Sequence, residues 1–367
     1  MKSILISAGS VYDHIDDMKI ISNVSRGTSG AQYADFFASK RYRVFFLCNK
    51  LCTLPKNNGV EIVYQDGYKD YMEQVKKYSQ NTDMAILSAA VCNYIPVKRF
   101  KGKIGGKNEF ITLKLKLAPK VINEVKKVKK NIFLIGFKLL SGVKEKELVD
   151  AAYKVILDSH ANIVVANDMR NLKEKLIIHR DKSIKRISSS EGLCNYFIEL
   201  SEDRFFSTKL IDGNPKALAG KEKVNTLLNI FNKYKEKFDI TLLPGDKRFL
   251  GCIAVRCKNG IITSGREKTQ SSFINELSFI KSIKDYKIYA VGNKASFNSS
   301  LLWALFKNNS ECEAIVHYHH EVKGITNLSY LPPGTEREAK TYGKLKHSFN
   351  IRGHGCILLL DKEGNLI

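Results

Sequence analysis

Two groups of residues in this sequence have types and spacings that could do chemistry. The first is Val316-His317-Tyr318-His319-His320, in which His317 and His319 stand two positions apart. On a strand that spacing puts both imidazoles on one face, where they can chelate a divalent ion. An isolated His-x-His is ordinarily not a metal site, but His354 follows in Arg352-Gly353-His354-Gly355. Three histidines with one position left open describe a catalytic zinc centre. The second group is glycine at the end of an apolar run, Ser7-Ala8-Gly9-Ser10, followed by Gly27 and Gly30. Glycines at a strand end and a helix start let backbone NH groups approach phosphate, where the helix dipole favours an anion; tight turns alone would use the same residues. The sequence holds neither G-x-G-x-x-G after the first strand nor G-x-x-x-x-G-K-[ST], so neither a nicotinamide dehydrogenase nor a P-loop hydrolase is suggested.

The elements that must position these residues differ between the two halves. Up to residue 200, short β-branched runs alternate with amphipathic stretches, the pattern of βα units around a mainly parallel sheet. Strands are expected at 3–7, 43–47, 60–64, 84–88, 132–137, 163–166 and 176–179, and helices at 28–39, 68–78, 120–127, 145–157 and 190–200. This is a doubly wound, Rossmann-like α/β domain. Residues 201–222 lose periodicity and gather Gly, Pro and Asp, and are read as a linker. Residues 223–367 read as a second, α+β unit, with helices at 226–235 and 299–307 and strands at 252–256, 260–263, 314–317 and 355–360. Leu301, Leu302, Trp303 and Leu305 are expected on the core face of the second of those helices.

Composition excludes several classes. Apolar residues at 44% and charged residues at 26% suit a water-soluble globular chain, and no apolar run approaches the length of a membrane span. The apolar run after Met1-Lys2 is too short for a signal peptide and reads as a buried first strand. Eight cysteines lack CxxC pairing, as expected of free thiols in the reducing cytoplasm. The net charge of +23 is spread along the chain without a basic arm, so nucleic acid is not an expected partner. A lysine-rich bias accounts for most of it, and attraction of polyanionic substrates such as nucleotides is the functional reading.

Six blocks in order then carry a resemblance: Ala8 to Asn23 closing on Ile21-Ser22-Asn23 and continuing as Ser25, Gly27 and Gly30; Ala89-Ala90-Val91-Cys92-Asn93-Tyr94; Lys103-Ile104; Leu117-Ala118-Pro119-Lys120; Gly136-Phe137-Lys138; and Val165-Ala166-Asn167-Asp168. Over residues 1–200 the chain resembles the phosphopantothenate-cysteine ligase family, which makes an amide in coenzyme A biosynthesis. The resemblance implies ATP or CTP as co-substrate with Mg²⁺, and 4'-phosphopantothenate and cysteine as partners. The Phe-Lys-Leu and Pro-Lys variants are similar to the ATP-using eukaryotic branch. It also implies roles: Asn23 hydrogen-bonds the acyl intermediate, and Lys103, on a mobile flap, supports attack by cysteine. Gly9, Ser10, Ala89, Asn93, Lys120, Phe137 and Lys154 would contact the nucleotide, and Ser22, Ser25 and Gly27 the substrate. By residue type alone, Asn23 could cap a helix, Lys103 could lie in a solvated loop and Phe137 could be core. The chain departs from the family at Val11-Tyr12-Asp13, at Asn93, where an acid is usual, and after Lys103, where only Lys107 stands near the family's further lysines.

A second resemblance, over residues 223–367, is to the class II aldolase and adducin domain. It rests on Gly251 to Arg256, Thr263-Ser264-Gly265, Ser296-Phe297-Asn298, His317-Tyr318-His319, Pro333-Gly334-Thr335 and Gly353-His354-Gly355. It implies Zn²⁺ on His317, His319 and His354. The family's acid/base glutamate reads Asn298 here, which cannot shuttle a proton, and Cys252 and Phe297 alter two phosphate-loop positions. The leading expectation is a nucleotide-dependent ligase fused to an altered aldolase-like domain. The alternatives are a metal-dependent lyase or epimerase, or a non-catalytic assembly protein. Both resemblances imply a homo-oligomer.

Overall fold

In a computed structural model that describes residues 1–106, 110–240, 248–266, 268–269 and 271–367, the chain forms two compact units. Lys107 lies outside the described residues. Met1–Arg180 and Arg186–Ser201 make the first unit, and Asp181–Lys185 and Glu202–Ile367 the second.

The first unit is built on strands that are apolar on both faces. β1 (Ser3–Ser7) buries Ile4, Leu5 and Ile6 completely. Such continuous runs suit a parallel sheet covered by helices on either side. β2 (Arg43–Cys48), β3 (Val60–Tyr64), β4 (Met84–Leu87), β5 (Phe133–Leu140) and β6 (Ile163–Asp168) join it in the order β3-β2-β1-β4-β5-β6, all parallel. β7 (Asn171–His179) adds antiparallel to β6, and β8 (Ile184–Ile187), of which Arg186 and Ile187 belong to this unit, follows at the edge. The intervening helices are α1 (Thr28–Ser39), α2 (Tyr68–Asn81), α3 (Ile122–Val128) and α4 (Glu145–Ser159), with α5 (Ser190–Glu202) after β8. The chain winds outward from β1 to β3, then returns to β1's other side as β4. The order reverses there, which opens a crevice beyond the carboxyl ends of β1 and β4.

α1 begins where expected, but its N-cap is Gly27 (φ 75°), with no side-chain cap. Asn23 therefore does not cap the helix. β7 extends further toward its N-terminus than expected, because Asn171, Leu172 and Lys173 are all exposed and so show no alternation between a buried and a solvent face.

The second unit is a nine-stranded sheet, mostly antiparallel. Its strands are β9 (Ser207–Ile211), β10 (Cys252–Cys257), β11 (Gly260–Ser264), β12 (Leu277–Lys284), β13 (Lys287–Gly292), β14 (Ala314–Tyr318), β15 (Thr326–Leu328), β16 (Phe349–Ile351) and β17 (Gly355–Leu360). They run in the order β9-β13-β12-β11-β10-β14-β17-β16-β15. α6 (Pro215–Ala219) and α7 (Lys221–Tyr234) precede β10, α8 (Ser299–Asn308) precedes β14, and α9 (Glu336–Tyr342) precedes β16. α7 sets Leu227 and Phe231 into a core with Phe249, Ile253, Phe273 and Phe279.

The segment 201–222, expected as a linker, is structured. β9 pairs parallel with β13, and Asn214 caps α6, accepting from the Lys216 and Ala217 amides, with Pro215 in the first turn. The Asn and Pro that read as loop residues are helix-start residues. β9 is an edge strand with Lys209 and Leu210 both exposed, so it lacks the period of two that would reveal it. Leu301, Leu302 and Leu305 are buried on α8, whereas Trp303 is only half-buried.

Candidate functional sites

In the first unit, Gly9, Ser10, Asn23, Gly27 and Ala89 gather at the reversal point of the sheet. Gly9 (φ 74°) leaves β1, and its carbonyl accepts from the Ala90 amide at 2.8 Å, so Ala89 and Ala90 lie against it. Gly27 packs so closely that a Cβ there would stand 2.7 Å from the Gly9 amide nitrogen. Glycine is thus required twice, by positive φ and by contact. The bare N-terminus of α1 is left with unpartnered amides suited to an anion. Asn23 is exposed and donates through Nδ2 to the Ala90 carbonyl at 3.2 Å; its own carbonyl accepts from the Ser22 hydroxyl and the Ser25 amide at 3.1 Å each. Ser10 is buried, and its hydroxyl accepts from Asn49 Nδ2 at 3.0 Å, which makes it part of the loop's framework.

Across the crevice, Lys120 Nζ donates to Asn93 Oδ1 at 2.6 Å. Burial holds Lys120 below the usual lysine range, with the neighbouring Lys138 charge adding to the effect. A half-buried lysine whose charge is disfavoured by burial and by a neighbouring lysine is a site an anion would stabilise. Phe137, on β5, stacks on Tyr33 of α1 with ring centroids 6.1 Å apart and keeps part of its surface open. Lys154 is on the exposed side of α4, where its ion pair runs along the helix to Asp158 at 3.5 Å, apart from these contacts.

Lys103 is exposed on the segment that follows β4's loop. That segment is fastened to the loop after β1 by Asp16, a buried carboxylate that accepts from the amides of Ile104, Met18 and Lys19 at 2.9, 2.7 and 2.6 Å and from Lys19 Nζ at 3.0 Å. The Ile104 amide, foremost, and the other donors hold Asp16 far below the usual carboxylate range. Arg99 adds a pair with Asp17 at 2.9 Å. At the departure noted above, Tyr12 donates to Asp66 at 2.8 Å, and His14 Nε2 stands 2.8 Å from the same carboxylate oxygen.

In the second unit His317 is the penultimate residue of β14, His319 follows the strand and His354 precedes β17, and their ligand atoms all lie within 4.8 Å of one another. His317 Nδ1 donates to the Cys356 carbonyl at 2.9 Å, which fixes the tautomer that leaves Nε2 without a proton. That Nε2 and both ring nitrogens of His354 are buried without a hydrogen-bond partner. Burial, then the neighbouring imidazoles, hold His317 well below the usual histidine range and His319 down to about 3. Convergent imidazoles, with buried unpartnered nitrogens on His317 and His354, fit a divalent metal ion.

Three further residues crowd this site without having been foreseen. Asp181 Oδ2 stands 2.9 Å from His354 Nε2. Glu338 is fully buried; its Oε2 accepts from the Gly334 amide at 2.9 Å, its Oε1 is unpartnered, and burial pushes it well above the carboxylate range. Lys268, also buried, donates to the Gly251 and Gly265 carbonyls, and burial lowers it to about 8. Asn298, at the N-terminus of α8, is buried with its Oδ1 unpartnered. Nothing in spacing marks Asp181 or Lys268. Glu338 follows the Pro333-Gly334-Thr335 turn closely enough that a buried helix-start glutamate could have been suspected.

All eight cysteines are buried and free of disulfides. Among the described residues no helix is long and apolar enough to cross a membrane.

Comparison with known proteins bears on the first unit. The chain is 31% identical over 169 residues to the coenzyme A biosynthesis bifunctional protein CoaBC of Methanocaldococcus jannaschii, covering 45% of this chain and 40% of that protein. It is 29% identical over 198 residues to the protein of the same name from Thermococcus kodakarensis, covering 52% and 48%. These matches span less than half the length of either relative. The crystal structure of the DNA/pantothenate metabolism flavoprotein from Streptococcus pneumoniae aligns with a TM-score of 0.50 at 27% identity, over 55% of this chain and 97% of that one. Residues 1–197 match the family described as the DNA/pantothenate metabolism flavoprotein C-terminal domain. With more than half of its length matched, the chain belongs to that family.

Proposed function

We propose that the first unit is a nucleotide-dependent ligase that joins the carboxylate of 4'-phosphopantothenate to the amine of cysteine, a step of coenzyme A biosynthesis. The observation that carries this reading is the pairing of Lys120 with Asn93, beside Lys138, across from the glycine-lined N-terminus of α1. A carboxylate is a poor electrophile. Its oxygen attacks the α-phosphorus of ATP or CTP, pyrophosphate leaves, and an acyl-nucleotide remains. The cysteine nitrogen then attacks the acyl carbon, loses a proton and expels the nucleoside monophosphate. Mg²⁺ arriving with the triphosphate neutralises phosphate charge. The α1 amides, Lys120 and Lys138 offer fixed donors where negative charge gathers. Asn23, free of a capping duty, can turn its amide to the acyl intermediate, and Lys103 is exposed on a segment tied to the same loop. Gly9, Ser10, Ala89, Asn93 and Phe137 frame the nucleotide in this reading, and Ser22, Ser25 and Gly27 the phosphopantothenate. Lys154, paired with Asp158 on the exposed side of α4, stands apart from this set. The ligase domain, read from the sequence as residues 1–200, is the first unit, without Asp181–Lys185, in a cytoplasmic homo-oligomer.

The test incubates the full chain with Mg²⁺, 4'-phosphopantothenate, cysteine and either ATP or CTP, following product by mass spectrometry with Lys103→Ala as control. Phosphopantothenoylcysteine and pyrophosphate with one nucleotide would support the ligase and identify its co-substrate. No product with either would reject it.

A second reading concerns residues 223–367 as an aldolase-like domain binding Zn²⁺, favoured by the three convergent histidines. Bound there, the ion would supply Lewis acidity or a structural tie. Lyase chemistry needs a proton shuttle, and Asn298 cannot provide one. Metal analysis of the purified protein, with His317→Ala for comparison, tests this reading.

A further inference from the structure

We infer that Asp181 is a fourth protein ligand to the divalent ion held by His317, His319 and His354, making a closed three-histidine, one-carboxylate centre. The inference rests on the metal-binding reading of the histidines. Asp181 belongs to the five-residue segment Asp181–Lys185, which lies in the second unit although the residues on both sides of it belong to the first. Its Oδ2 approaches His354 Nε2 to 2.9 Å, with the carboxylate 10% and the imidazole 0% exposed. Yet neither nitrogen of His354 makes a hydrogen bond. Two polar atoms this close, without hydrogen-bond direction, have the relation of two ligands aimed at a common point. In a tetrahedral zinc site with bonds of about 2.0–2.1 Å, ligand atoms stand roughly 3.3 Å apart.

Charge points the same way. His317 and His319 both feel the Asp181 carboxylate, as does Glu338, so Asp181 faces the whole cluster. The segment is held for the purpose: Asp181 Oδ1 accepts from the Ser183 hydroxyl at 2.7 Å and amide at 3.2 Å, Ser183 bonds the Tyr330 hydroxyl at 2.7 Å, and the Ile184 amide donates to the Gly353 carbonyl at 2.8 Å, next to His354. Oδ1 is thereby engaged and Oδ2 is directed to the cluster. The carboxylate that position 298 lacks is supplied from elsewhere in the chain. Four protein ligands leave no open position, which makes the metal a structural tie.

The experiment substitutes Co²⁺ for Zn²⁺ in the full chain and records its visible spectrum with and without azide, alongside zinc affinity by chelator competition, for wild type, Asp181→Ala and Asp181→Asn. The expected result is an intense four-coordinate spectrum insensitive to azide in the wild type, an azide-sensitive spectrum in Asp181→Ala, and a zinc affinity more than about 100-fold weaker in that variant. Asp181→Asn keeps the shape of the side chain and guards against a folding defect, and it should lose affinity in the same direction. An azide-sensitive wild-type spectrum overturns the inference whatever the variants do, because it shows an open position. Unchanged affinity in both variants overturns it as well. A wild type that binds no stoichiometric metal removes the metal reading itself, an outcome distinguishable from the other two.

Discussion

Lys120 is held partly out of water and beside Lys138, so its charge is at a disadvantage until an anion arrives. Lys120→Ala should therefore raise KM for the nucleotide about 10- to 100-fold, roughly 1.5–3 kcal/mol of a charge-assisted hydrogen bond, while leaving the melting temperature nearly unchanged. Steady-state kinetics with calorimetry checks both. The histidines give a prediction of the opposite kind. His317 and His319 are held below their ordinary value of 6.5, so between that value and their folded values the unfolded chain binds more protons than the folded one. The stability of metal-free protein should be complete above about pH 6.5 and fall as pH drops through that value, by up to about 1.4 kcal/mol per pH unit for the buried His317. Thermal melts in chelator across pH 4.5–8 on the wild type and His317→Gln read this, and the variant should show the shallower slope. The three clustered histidines were legible as residues because an i, i+2 pair announces itself. Asp181 was not, because a lone aspartate after a strand is ordinary and only the fold brings it to His354.

At the level of elements, α1 could be read to its ends because Gly27 and the apolar periodicity mark it. β9 and α6 could not, since one is an exposed edge strand and the other a single turn whose Asn214-Pro215 start resembles a loop. The cap is testable: Asn214→Ala should destabilise the second unit by about 1 kcal/mol in a denaturant melt, with ligase turnover unchanged. The reversal of strand order beside β1 positions the crevice, and neither spacing nor composition gives strand order directly. The clasp between the two loops at its mouth was also hidden, because Asp16 looks like any acid in an acidic pair with Asp17. Asp16→Asn removes the charge that gathers four donors. It should slow attack by cysteine on the acyl-nucleotide more than formation of that intermediate, since the segment it fastens carries Lys103. Pyrophosphate release compared with amide formation in single turnovers separates the steps, and equal slowing of both would reject the role.

At the level of the whole molecule, each unit has its own sheet and its own buried core. Calorimetry should resolve two transitions, with nucleotide raising one and zinc the other, each by an amount that grows with the logarithm of ligand concentration. A single transition moved by both ligands would show that the units unfold together. The family of the first half is visible in the order of its motifs along the chain, but the sequence reads as two contiguous stretches, and the chain does not obey that partition. It enters the second unit at Asp181, returns to the first at Arg186 and leaves it again after Ser201. For gene dissection, no single cut yields two intact products: a break near residue 200 strips the downstream piece of Asp181–Lys185, and an upstream cut strips the other of α5.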